Sequence, residues 1–151
     1  RDQLEYLIVH AARIRDVRMA LLENDYHIVQ FSGHGEKSGS LMFEDKNGDP
    51  HPVYLQDLLD LLSNFQSIEC LILNACYSAD QLQLAQMPIP VIIAMRGRIT
   101  DKSAQQFTRG FYDAVGAGKN YNLAYRIGCN AISIEGYSDE LVPQIFESRN
   151  K

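Results

Sequence analysis

The stretch HIVQFSGHG sets His34 between Gly33 and Gly35, directly after the strand-suited residues Ile28 to Phe31. A second stretch, CLILNACYS, sets Cys76 just beyond the run Cys70 to Leu73. A free thiol has a pKa of about 8.5, so at neutral pH it is a weak nucleophile until a base takes its proton. An imidazole can accept that proton, stabilise the thiolate as imidazolium and later protonate a departing amine. The chemistry open to such a pair is attack on a peptide carbonyl, through a thioester that water then hydrolyses. Gly35 has no Cβ, so its N–H can approach substrate closely. With the Cys76 N–H it would face the developing oxyanion, and losing one such donor typically costs about 3 kcal/mol in catalysis. Gly33 would allow the sharp turn that directs His34 outward.

Plainer readings stand beside this one. Gly-His-Gly alone is usually a loop, and a lone cysteine at a strand end is usually a small buried hydrophobe. Cys70 and Cys129 take that second reading, because each sits among apolar neighbours. His10, His27 and His51 are weaker bases: His10 follows a strand, His27 begins one, and His51 lies between Pro50 and Pro52 in an expected surface turn. Asp25, Glu36 or a backbone carbonyl could orient His34, and spacing does not choose among them.

For the thiol and the imidazole to meet, their two strands must be parallel neighbours. The patterning supports that arrangement. Short apolar runs at Tyr6 to Val9, Ile28 to Phe31, Cys70 to Leu73 and Val91 to Met95 alternate with helical spacings. The helices fall at Arg13 to Glu23, along Leu55, Leu58, Leu59 and Leu62, at Ala79 to Ala85, along Phe107, Phe111 and Val115, and at Asn122 to Ile127. Thr100 or Ser103 suits the cap of the Phe107 helix, and Gly116-Ala117-Gly118 ends it. Leu41 to Glu44 with the Asn47-Gly48 turn predicts a hairpin. The segment after Ala131 is less regular. Alternation of this kind marks a mostly parallel sheet covered on both faces. Such sheets carry their sites outside the carboxyl ends of the strands, which selects Ser32 to Gly35 and Asn74 to Ser78.

Composition narrows the function. With 151 residues the chain suits one domain with a substantial core, and 46% hydrophobic with 22% charged residues is ordinary for a globular protein. A net charge of -5 opposes non-specific nucleic-acid binding. No apolar run reaches the roughly 20 residues of a membrane span. Three cysteines without metal-ligand spacing point to a reducing compartment and away from a disulfide scaffold or zinc site.

FSGHG followed in order by LILNACYS resembles the CHAT domains, caspase-like cysteine peptidases related to caspases, metacaspases and separases. AMRGRITDKSAQQFTRGFYDAVGAGKNYNLAYRIG is similar to the family's later segment: an aspartate after a strand, an aromatic-rich helix, a glycine turn and another helix. The resemblance runs from about Leu4 to Ile132. It implies an α/β fold, a caspase-like three-layer sandwich with a mostly parallel central sheet flanked by helices. It implies His34 as catalytic histidine, Cys76 as nucleophile, and Gly35 and Cys76 as oxyanion donors, with no cofactor and no metal. Asp101 becomes the specificity residue receiving a basic P1 side chain by charge and, for arginine, bidentate hydrogen bonds. Asn74, two before the nucleophile, and Asp80 would line the same pocket. Asp101 equally suits a helix start, and Arg96 and Arg98 pointing inward would instead favour an acidic P1 residue.

The same resemblance implies a protein or peptide substrate, regulatory domains or an activator protein, and a cytoplasmic role in prokaryotic defence or cell death. It also implies that residues 1–151 are a domain of a longer protein, lacking the usual first strand before Arg1. A catalytically silent scaffold is the rival reading. A nucleotide site is a remote one: GHGEKSG holds three glycines and Lys37 but lacks both phosphate-loop orders. Asp45, Asn47 and Asp49 alternate oxygens around Gly48 without a full calcium-loop pattern, so a polar turn is expected there.

Overall fold

The computed structural model describes residues 4–10, 12–82 and 87–148. Five strands form the central sheet: β1 (Tyr6–Val9), β2 (Ile28–Ser32), β5 (Cys70–Asn74), β6 (Val91–Met95) and β7 (Pro143–Glu147), in the order β1-β2-β5-β6-β7. The first four run parallel, and β7 lies antiparallel on β6. A separate antiparallel hairpin pairs β3 (Ser40–Glu44) with β4 (Pro50–Tyr54).

Alternation of side chains along each strand makes two cores. Val29, Phe31, Leu71, Leu73, Ile92 and Ala94 face one way. There they meet Val17 and Leu21 of α1 (Ile14–Glu23), the leucines of α2 (Leu55–Leu62), Leu41 and Phe43 of β3, and Ala79 and Leu82 of α3 (Ser78–Leu82). Ile28, Cys70, Ile72, Val91 and Ile93 face the other way, onto α4 (Asp101–Gly116) and α5 (Tyr121–Ile134). The result is a three-layer α/β sandwich, as the fold-class reading expects. The α4–α5 pair packs closely because Gly110 and Gly128 face it. A Cβ on Gly110 would meet the Ile127 carbonyl at 2.9 Å, and one on Gly128 the Phe107 ring at 2.7 Å.

Thr100 is the cap of α4, its side chain accepting from the Ser103 N–H, and Asn120 does the same for α5 from Leu123 N–H. The predicted α5 stops too early: the helix continues to Ile134. β7 goes unread in the sequence, since Pro143 opens it and its burial pattern is mixed. Of the expected 79–85 helix, residues 83–86 lie outside the described residues. His51 sits in β4, opposite Phe43, and not in a turn. Pro50 and Pro52 are tolerated there because a two-stranded ladder has only edges.

Candidate active site

β2 and β5 are adjacent and parallel, with Ser32 paired to Asn74 as the last register position. His34 and Cys76 each lie two residues beyond that pair, so both emerge at one edge of the sheet. The Gly33 N–H donates to the Asn74 carbonyl at 3.4 Å and carries the pairing one step further. Gly35 then forms an isolated antiparallel bridge with Leu41. The bonds of that bridge are Met42 N–H to the His34 carbonyl and Glu36 N–H to the Ser40 carbonyl, at 3.0 and 2.9 Å. Gly35 itself lies between them and contributes no bond to the bridge. A Cβ at Gly35 would overlap the Cys76 carbonyl oxygen, so only glycine allows this approach of the two backbones. Among the described residues, neither the Gly35 N–H nor the Cys76 N–H has an acceptor.

The Cys76 side chain is half-buried, and its Sγ–H donates to the Ile99 carbonyl at 3.7 Å. The His34 ring is exposed and bonds neither Asp25 nor Glu36. Burial pushes the Cys70 thiol strongly upward, and burial does the same, less strongly, at Cys129. Cys70 is a core cysteine, whereas Cys129 is half-buried and packs against the margin of the second core.

Behind Cys76 the chain makes a tight corner. Tyr77 adopts a left-handed backbone with φ 65°, a rare conformation for an aromatic residue, and its N–H donates to the Gly97 carbonyl at 2.7 Å. Ser78 is buried and bridges two strands: its hydroxyl donates to the Leu73 carbonyl and accepts from the Met95 N–H, both at 2.9 Å. The loop after His34 is tied to the same corner. Gln81 Nε2 donates to the Lys37 carbonyl at 3.0 Å, and the Lys37 ammonium stands 5.1 Å from the Tyr77 ring centroid.

The other predicted residues have positions and partners of their own. Asn74 lies on the α4 side, its Nδ2 donating to Thr108 Oγ1 at 3.4 Å. Asp101 is exposed in the first turn of α4, and Asp80 is exposed in the first turn of α3. Arg96 turns to β7, donating to Gln144 Oε1 at 2.6 Å. Asp45 accepts from the amides of Asn47 and Asp49 in its own turn, at 2.8 and 3.0 Å. Among the described residues no three His, Cys, Asp or Glu side chains group as metal ligands.

Sequence reading missed the Ile99 carbonyl, the Gln81–Lys37 tie and Asp139. Asp139 accepts from both the N–H and the hydroxyl of Thr100, at 3.1 and 3.0 Å, and so pins the segment that carries Ile99. No local pattern signals a contact between residues so far apart. Ser78 had a signal, since a serine at a strand-to-helix corner commonly bonds nearby backbone.

A caspase-like sandwich with a thiol and an imidazole at one sheet edge is the setting in which the family comparison falls. The CHAT domain model matches residues 1–127, and the chain belongs to that family. It is also 25% identical over 154 residues to a Roc-COR-CHAT protease from an unknown prokaryotic organism. That match covers 97% of this chain and 14% of the relative, so the chain spans about one seventh of the relative's length. Family membership and a relative named as a protease together support a protease at family level.

Proposed function

We propose that the chain is a cysteine endopeptidase in which Cys76 is the nucleophile and His34 its base and acid. The imidazole takes the thiol proton as sulfur attacks the scissile carbonyl carbon. The amides of Gly35 and Cys76 stabilise the oxyanion. The imidazolium then protonates the leaving amine as the C–N bond breaks, which leaves a thioester that water hydrolyses to regenerate the thiol. The carrying observation is the close approach of Gly35 to the Cys76 backbone with both amides lacking acceptors. Both amides lie at the half-exposed sheet edge without a protein acceptor, which leaves them available to a ligand oxygen.

A basic P1 residue is supported by Asp101, an exposed carboxylate near this edge, and Asn74 and Asp80 are the further pocket candidates. The relative's name joins Roc and COR to a CHAT protease, which supports control by regulatory modules or an activator in the whole protein. A cytoplasmic setting and a role in defence belong to the same reading. Among the described residues no helix is long and apolar enough to cross a membrane.

The test compares wild type with Cys76→Ala on a peptide library varied at P1. Cleavage should fall by about 10⁴-fold or more in the variant. Its melting temperature should stay near wild type, because the lost thiol makes one long hydrogen bond. Equal cleavage by both proteins would remove Cys76 from the chemistry. A stable wild type that cleaves nothing even within its full-length protein would favour the silent scaffold.

A further inference from the structure

We infer that a cavity at the amino ends of the strands binds a small organic cation, a methylated ammonium or a guanidinium carried on an aliphatic body. The inference is independent of the peptidase reading. Tyr6 opens β1, and Glu69 stands directly before Cys70, the first residue of β5. β5 is five residues long, so roughly 17 Å of strand separates this end from the edge that carries His34 and Cys76. The last turns of α4 and the start of α5 flank the cavity and bring Tyr112, Val115 and Tyr121 to it. Its volume is about 470 Å³, the size of a small-molecule site.

Three aromatic rings set its shape. Tyr6 packs on Tyr112, with centroids 5.2 Å apart and planes inclined at 35°. Tyr112 meets Phe111 edge-on at 88°, and Tyr121 lies at 11° to the same Phe111 ring. The Tyr112 and Tyr121 rings therefore stand nearly at right angles, as two walls of an aromatic corner. Tyr6 remains 53% exposed although Tyr112 packs on it. Ring faces carry negative potential, which attracts a cation and repels an anion. Glu69 adds charge of the same sign. Its half-buried carboxylate lines the cavity and accepts from the Tyr121 hydroxyl at 2.6 Å, so wall and carboxylate are held in one arrangement. Leu4 and Val115 supply apolar lining for an aliphatic body. Lys119 opposes a cation, but it is exposed on the turn between the helices, where solvent screens it more than it screens a half-buried carboxylate. The balance favours a positive ligand.

The test titrates the protein calorimetrically with ligands matched in shape and differing in charge. These are choline, the neutral dimethylbutanol in which carbon replaces its nitrogen, and the anion of tert-butylacetic acid, with agmatine as the guanidinium. Choline or agmatine should bind at least about tenfold tighter than the alcohol, and the anion should bind weakest. Which cation leads distinguishes methylated ammonium from guanidinium, and either upholds the site. Glu69→Gln keeps an oxygen for the Tyr121 hydroxyl and removes the charge. It should cut cation affinity about tenfold and leave the alcohol's affinity unchanged. Tyr6→Leu, at the exposed ring, should weaken the cation about threefold. Lys119→Ala should strengthen it, the reverse of what an anion site would show. Thermal melts establish that each variant is folded, and the two exposed positions carry the comparison if Glu69→Gln is not. Equal affinity for cations and alcohol, tighter binding of the anion, unchanged cation affinity in folded Glu69→Gln, or no binding of either cation overturns the inference.

Discussion

The Cys76 proton rests on the Ile99 carbonyl, an acceptor that cannot take it away. Under the proposed mechanism, transfer to His34 requires the thiol to leave that bond, a rotation about one side-chain dihedral. Half-burial keeps the sulfur reachable, whereas Cys70 is fully buried and burial raises its thiol pKa. Iodoacetamide at neutral pH should accordingly label Cys76 first, with Cys70 untouched until unfolding, as peptide mass mapping would show. Labelling of Cys70 in the folded protein would contradict the packing. Gly35 carries the sharper constraint. Gly35→Ala pushes a methyl group into the Cys76 carbonyl, so it should lower stability by about 1–3 kcal/mol in chemical denaturation. Under the proposed mechanism it should also reduce kcat by about 10²-fold or more, because the oxyanion donors move apart.

At the scale of elements, the corner behind Cys76 depends on a distant carboxylate. The hydrogen bond from the Thr100 backbone N–H, with help from the Ser103 and Thr100 hydroxyls, holds the Asp139 carboxyl below its ordinary pKa. A depressed carboxylate contributes stability above its unfolded value and loses it as pH falls through the folded value. Asp139→Asn should therefore lower the melting temperature by about 2–4 °C near neutral pH, for a net loss of about 1 kcal/mol. That gap should narrow below pH ~3.9, the ordinary aspartate value. A gap that persists unchanged at low pH would show that charge is not what matters there.

Elements also show what could be read in advance. The four parallel strands were legible because each is a short apolar run, buried throughout its first four residues in β2, β5 and β6 though only at Val9 in β1, and the structure supplies the β2–β5 adjacency that a meeting of His34 and Cys76 requires. β7 was not, because its residues are mixed in burial and it is held from outside. Tyr125, whose hydroxyl burial pushes up to about 12, donates to the Pro143 carbonyl at 2.8 Å. Tyr77's left-handed turn and the Ile99 acceptor were equally invisible, since a backbone conformation forced by tertiary contacts leaves no periodicity.

For the whole molecule, the layers divide the labour. One core locks β3, α1, α2 and α3 against the sheet, and the other locks α4 and α5. The two segments bearing His34 and Cys76 belong to the central strands, each bonded on both sides. The chain between them crosses the β3–β4 turn, whose residues 46–49 are exposed. The sheet, and not covalent continuity through that turn, is therefore expected to keep the two segments adjacent. A sequence-specific protease site inserted between Asn47 and Gly48, once cut, should give two fragments that co-elute under native conditions and retain the parent's activity toward peptide. Their separation would show that the hairpin, and not the sheet, holds the halves. If they stay together and cleave peptide, the proposed enzyme works as two chains, one bringing the base and the other the nucleophile.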